Sequence, residues 1–130
     1  MKKYAVIVIL FFLIACEESY DQQHKEYLAN MGWHIKKQER EKTYTLQTPE
    51  EMLAHYDVDG LTFLRDYQGK EVTQFLYTLK EQDAEHNNVK AVILENEGDI
   101  IGGYGLLPSW DPGVFHLMEK EQLVEEKMIK

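Results

Sequence analysis

Residues 4–15 read Tyr-Ala-Val-Ile-Val-Ile-Leu-Phe-Phe-Leu-Ile-Ala, a run without a single charge that ends against the only cysteine of the chain, Cys16. As a helix the run would be about 18 Å long at ~1.5 Å per residue. A bilayer core needs ~20 apolar residues, so this stretch is short for a span and has the length of a signal-peptide apolar region. Lys2 and Lys3 supply the positive flank such a region carries. The run has no polar face, which argues against it as a helix packed on the surface of a small domain. With one cysteine no internal disulfide can form. The 130 residues are 44% hydrophobic and 28% charged, enough for one packed core. The formal net charge of −9 repels phosphate backbones and argues against nucleic acid as a partner.

Leu13-Ile14-Ala15-Cys16 resembles the lipobox of bacterial lipoproteins. The resemblance implies cleavage between Ala15 and Cys16 and a diacylglyceryl thioether on the Cys16 thiol. Apolar Leu13 and Ile14 would stay in the membrane beside the processing enzymes, and small Ala15 would let a peptidase reach the bond. Two acyl chains hold a protein where one binds marginally, at ~0.8 kcal/mol per buried methylene. The expectation is therefore a leader over residues 1–15, a lipidated tether over 16–19, and a membrane partner engaged through diacylglyceryl-Cys16 on the extracytoplasmic face. Loss of Lys2 and Lys3 would take the formal charge from −9 to −11.

The remainder predicts a single α+β domain over residues 20–118 and a charged helical tail over 119–130. Its expected architecture is an antiparallel sheet of about three to five strands, an N-terminal helix packed on one face, and short helices between strands. Ser19 and Gln22 have capping-box spacing. Tyr20, His24, Tyr27, Leu28 and Met31 follow at helical intervals, with Gly32 as the stop and Trp33 as its apolar lock. This predicts a helix over 20–31. Residues 34–40 suggest an edge strand rich in lysine and arginine, residues 36–42 otherwise a solvated turn, and Thr43 to Leu46 a better strand. Thr48-Pro49-Glu50-Glu51 predicts a capped helix start, with Met52, Leu53 and Tyr56 buried and the stop near Gly60. Leu61, Leu64 and Tyr67 suit a short helical turn. Alternation then predicts strands over 71–80, 89–95 and 100–107, the last two joined by an Asn96-Glu97-Gly98 turn. Gly102, Gly103 and Gly105 interrupt the last strand, which suits a bulge or the close approach of the first helix. Val114, Leu117, Met118, Val124 and Met128 form a loose helical stripe, and the tail after Met118 is expected to fray outside the core.

Leu28-Ala29-Asn30-Met31-Gly32-Trp33, Tyr67-Gln68-Gly69-Lys70, Asp99-Ile100-Ile101-Gly102-Gly103 and Gly113-Val114-Phe115-His116 occur in this order. As a set they resemble the bacterial lipoprotein family known as domain of unknown function 4830. The resemblance covers roughly residues 23–117 and implies a small secreted or lipid-anchored domain, chiefly of Gram-positive bacteria. It implies no activity and no site.

The residues offer few constellations suited to chemistry. His24, His34, His55, His86 and His116 make no close pair, and Cys16 is committed to lipid, so neither a metal nor a cofactor is expected. Asp57, Asp59 and Gly60 begin like a calcium loop but do not complete one. Glu50 and Glu51 point in different directions on a helix. Ser109 lies in no nucleophile elbow. His24 is expected as half-buried packing. The candidate binding residues are Trp110, Phe115 and His116 in or beside the loop 108–116, together with Gly102 and Gly103. These features favour a non-catalytic interaction module that holds an envelope protein, a peptide or a cell-wall component. One alternative is an inhibitor or immunity-type protein with an acidic binding surface. The other is a small enzyme, a hydrolase for instance, that would need acids such as Asp57, Asp59 and Asp66 to converge with His116 in a cleft.

Overall fold

A computed structural model describes residues 21–110 and 113–129. Cys16 and the rest of the expected leader and tether fall outside the described residues. The elements in chain order are α1 (Gln22–Ala29), β1 (Ile35–Thr45), α2 (Glu50–Val58), α3 (Phe63–Asp66), β2 (Glu71–Gln82), β3 (Asn88–Asn96), β4 (Asp99–Leu106), β5 (Val114–Phe115), a 3-10 turn (Leu117–Glu119) and α4 (Lys120–Glu125). The five strands form one antiparallel sheet in sequence order. This is the α+β architecture that the alternation predicts.

Both faces of the sheet are covered, because β2 and β3 carry apolar side chains at odd and even positions alike. Tyr77, Leu79, Val89, Ala91 and Ile93 face one core with Leu28, Trp33, Phe115, Leu117 and Leu123. Val72, Val92 and Leu94 face the other with Leu46, Leu53, Leu61 and Leu64. The helix pair α2 and α3 thus packs on the face opposite α1 and α4.

Local signals explain most element ends. Asp21 caps α1 by accepting from the Gln23 N–H at 2.7 Å, where the sequence favoured Ser19. At the other end Gly32 N–H bonds Ala29 O and Trp33 N–H bonds Leu28 O, both at 2.9 Å. That pair of bonds is a Schellman stop, and it needs the positive φ of Gly32, +87°. Trp33 and Leu28 close it with a buried apolar contact. Gly60 ends α2 in the same way, with Leu61 N–H on Tyr56 O.

Several stretches depart from their expected form. Residues 36–42 are not a turn: β1 is continuous and absorbs two extra residues as bulges between Ile35 and Lys37 and between Gln38 and Arg40. The Thr48 side chain does not cap α2; Pro49 is the cap residue and Gln68 Oε1 accepts from the Thr48 N–H at 2.7 Å. Val114 and Phe115 form an edge strand on β4 rather than part of a helical stripe. The charged tail is not frayed: Leu123 and Ile129 are buried, and Ile129 bridges to Asp83.

The glycines of β4 are covered by the Phe63 and Phe115 rings and by the neighbouring β3 backbone, not by α1. A Cβ on Gly105 would lie 2.1 Å from the Phe115 ring, one on Gly102 2.7 Å from Phe63, and one on Gly103 2.6 Å from Val92 O. Ile101 is the extra residue of a bulge between the Glu95–Ile100 and Leu94–Gly102 pairs.

Candidate functional site

Of the sequence-predicted site residues, the structure gives the two aromatics opposite roles. Phe115 is buried, its ring 5.6 Å from that of Trp33, so it fills core and does not face a ligand. Gly103 is buried as well, and Gly102 lies under Phe63. Trp110 stays 48% exposed. Its loop is pinned from below: Ser109 Oγ donates to Asp83 Oδ2 at 2.6 Å, and Asn87 Nδ2 donates to Ser109 Oγ at 2.8 Å. Asp83 also accepts from the N–H groups of Glu85 and Asn87. Burial alone would push the Asp83 carboxyl up, but the Ser109 hydroxyl and the backbone donors outweigh it and hold the group below its ordinary value. Trp110 thus follows a Ser109 that is hydrogen-bonded to both Asp83 and Asn87.

His116 belongs to a different place. It lies two positions beyond Val114, on the same side of the chain, and its ring approaches Gly60 so closely that a Cβ there would sit 3.0 Å from Cδ2. His116 Nδ1 accepts from the Met118 N–H at 3.1 Å, capping the 3-10 turn, so the neutral ring carries its proton on Nε2.

Beside His116 runs a groove of about 420 Å³ between α2 and β5, lined by Met52, His55, Tyr56, Val58, Asp59 and Val114. Two of its apolar side chains stand well out of the core: Met52 is 47% exposed and Val58 87%. Leu53, on the other side of the same helix, is buried in the sheet. Met52 therefore departs from the expected buried face. The nine residues of α2 carry apolar groups on two sides, and periodicity alone does not say which side meets the sheet.

Under the groove Tyr56 packs against Tyr104 with ring centroids 6.1 Å apart. Burial pushes the Tyr104 phenol well above its ordinary value, and Tyr56 and Tyr44 add to it, so this phenol stays neutral. The far side of α2 is tied to α3 by Arg65, which donates to Asp57 Oδ2 at 2.6 Å and to Glu50 Oε2 at 3.1 Å. These carboxylates first raise the affinity of the guanidinium for its proton, so it stays charged throughout. Asp57 is thereby committed to an ion pair and does not line the groove, whereas Asp59 does. An apolar trough with His55 and Asp59 on its lining can seat an apolar side chain or helix face and hydrogen-bond its margins.

Among the described residues no helix is long and apolar enough to cross a membrane. No protein-family model matches this chain, and neither a curated protein nor a solved structure is found similar to it.

Proposed function

We propose that this chain is a lipid-anchored, extracytoplasmic interaction module that holds an apolar-faced envelope protein or peptide in the groove between α2 and β5. The observation that carries the reading is the outward placement of Met52 and Val58 around a formed groove, while Leu53 on the same helix anchors it to the sheet. Exposed apolar side chains gathered at a concave site mark contact surfaces more often than scattered ones do. The anchor half of the reading is supported by Lys2, Lys3, the uncharged run and Leu13-Ile14-Ala15-Cys16. The resemblance to the lipoprotein family rests on the short motifs alone and points the same way.

The test is crosslinking in cells of the processed protein, wild type against a Met52→Glu/Val58→Glu variant. Both positions are exposed, so folding should be unchanged and the specific crosslinked product should disappear. Equal products from both proteins would remove the groove as the site. Capture that survives high salt fits an apolar contact; capture lost in salt would favour the acidic-surface inhibitor instead. A Cys16→Ser variant should neither incorporate labelled palmitate nor partition with membranes, and a variant that still did so would overturn the anchor.

A further inference from the structure

On the sheet face opposite the groove, Asp21, His24 and Glu95 bring one ligand atom each to within 4.8 Å of one another. We propose that these three side chains form a site for a divalent transition-metal cation of the Zn²⁺ type. The inference stands apart from the partner reading, because it uses other residues on another face of the sheet.

The chemistry of the donors selects the ion. One imidazole nitrogen and two carboxylates suit Zn²⁺ and its neighbours, whereas Ca²⁺ and Mg²⁺ prefer all-oxygen shells. The imidazole is the fixed member. His24 is fully buried, with Phe75 edge-on at 4.4 Å and Tyr77 at 5.7 Å between ring centroids. The carboxylates are the movable members: Glu95 is 13% exposed at the end of β3, and Asp21 is exposed before α1. Zn–N and Zn–O bonds of ~2.0–2.2 Å place tetrahedral donors roughly 3.4 Å apart. Small rotations of the two carboxylates, Asp21 exposed and Glu95 largely covered, would reach that spacing. Asp21 spends one oxygen on the Gln23 N–H and keeps the other for an ion.

The outer partner of the histidine is also in place. His24 Nδ1 lies 2.5 Å from the Tyr77 hydroxyl, and Nε2 is in contact with the Glu95 carboxylate. With a neutral ring and no ion, Nε2–H donates to Glu95 and Tyr77 donates to Nδ1. With an ion on Nε2, the ring proton moves to Nδ1 and Tyr77 turns from donor to acceptor. A hydroxyl can do either, so both states are hydrogen-bonded, and the tyrosine orients the ligand as outer partners of metal-bound histidines do. Two carboxylates drawn together beside a buried imidazole also gain a compensating charge. The bound ion would fasten the start of α1 to the end of β3.

The experiment is calorimetric titration of the full, detergent-solubilised chain with Zn²⁺, paired with the absorption spectrum of its Co²⁺ form. One saturable Zn²⁺ per chain and a rise in thermal midpoint are expected, with an intense visible band from low-coordinate Co²⁺. Asp21→Asn keeps the helix cap and Glu95→Gln keeps an acceptor for His24, so both should fold as wild type while binding at least tenfold more weakly. Tyr77→Phe, a positioning change, should weaken binding by about tenfold to a hundredfold. The proposal fails if the wild-type chain takes up no stoichiometric Zn²⁺. It also fails if folded Asp21→Asn and Glu95→Gln bind as wild type does, or if Ca²⁺ binds as tightly as Zn²⁺.

Discussion

At the scale of single residues, this domain depends on a few positions whose neighbours leave no substitute. Gly105 is the clearest. The Phe115 ring occupies the space a Cβ would need, at 2.1 Å, and behind the ring lies Trp33. Gly105→Ala must displace a buried aromatic and should cost about 1–3 kcal/mol, read as a lower urea midpoint at unchanged slope. Asp83 is the second. Its carboxylate accepts from Ser109 Oγ and from two backbone N–H groups in a buried position. Because its folded-state affinity for the proton is depressed, the group stabilises the fold fully above an unfolded value of about 4 and loses that contribution as pH falls through the lower folded value. Asp83→Asn should therefore be less stable than wild type by about 1–3 kcal/mol near neutrality, with the two proteins converging in acid denaturation scans. Trp110, half exposed on the loop that Asp83 pins, should be replaceable by Ala within about 0.5 kcal/mol.

At the scale of elements, the C-terminal segment matters more than its charge suggests. Six of the ten residues from Glu119 to Met128 are charged, yet Leu123 and Ile129 enter the core beside Leu28 and Trp33. Trp33 Nε1 donates to Leu117 O at 2.8 Å, and Lys120 Nζ sits 5.0 Å over the Trp33 ring and bonds Gly32 O at the C-terminal end of α1. The cation lies where the helix leaves carbonyls unpaired, a favourable place for it. The last helix and the first are thus one structural unit. Leu123→Ala should cost about 2–5 kcal/mol and expose α1 to faster amide exchange along with α4. If α1 protection stayed at the wild-type level, the two helices would not be coupled.

At the scale of the whole molecule, the two covered sheet faces carry different features. One face joins the two terminal helices and holds the His24 cluster; the other carries α2 and α3 and the groove. A lipid on Cys16, close before α1 in sequence, would attach the membrane to the first face and leave the groove on the other. The Met52→Glu/Val58→Glu variant should then lose partner capture while keeping its membrane partition unchanged and its unfolding free energy within about 0.5 kcal/mol of wild type. Coupled loss of capture and anchoring would mean that the two faces do not act separately.

Much of the architecture was legible in the residues because the forces behind it are local. Alternation in residues 71–80 and 89–95 puts the same side chains on the same faces in the structure, since a strand turns its side chains by half a circle per residue. Gly32 and Gly60 stop helices because positive φ is a property of one residue and its neighbours. What tertiary structure decided is every contact between residues far apart in the chain. The sheet, not the helical period, chose Leu53 over Met52 for burial. Glu95 and Tyr77 turned His24 from packing into the centre of a polar cluster, across 71 and 53 residues of sequence. The docking of Ile129 on Asp83 made a charged tail part of the core. Local stereochemistry is written in short windows of sequence, whereas burial and pairing belong to surfaces that exist only after the chain has closed on itself.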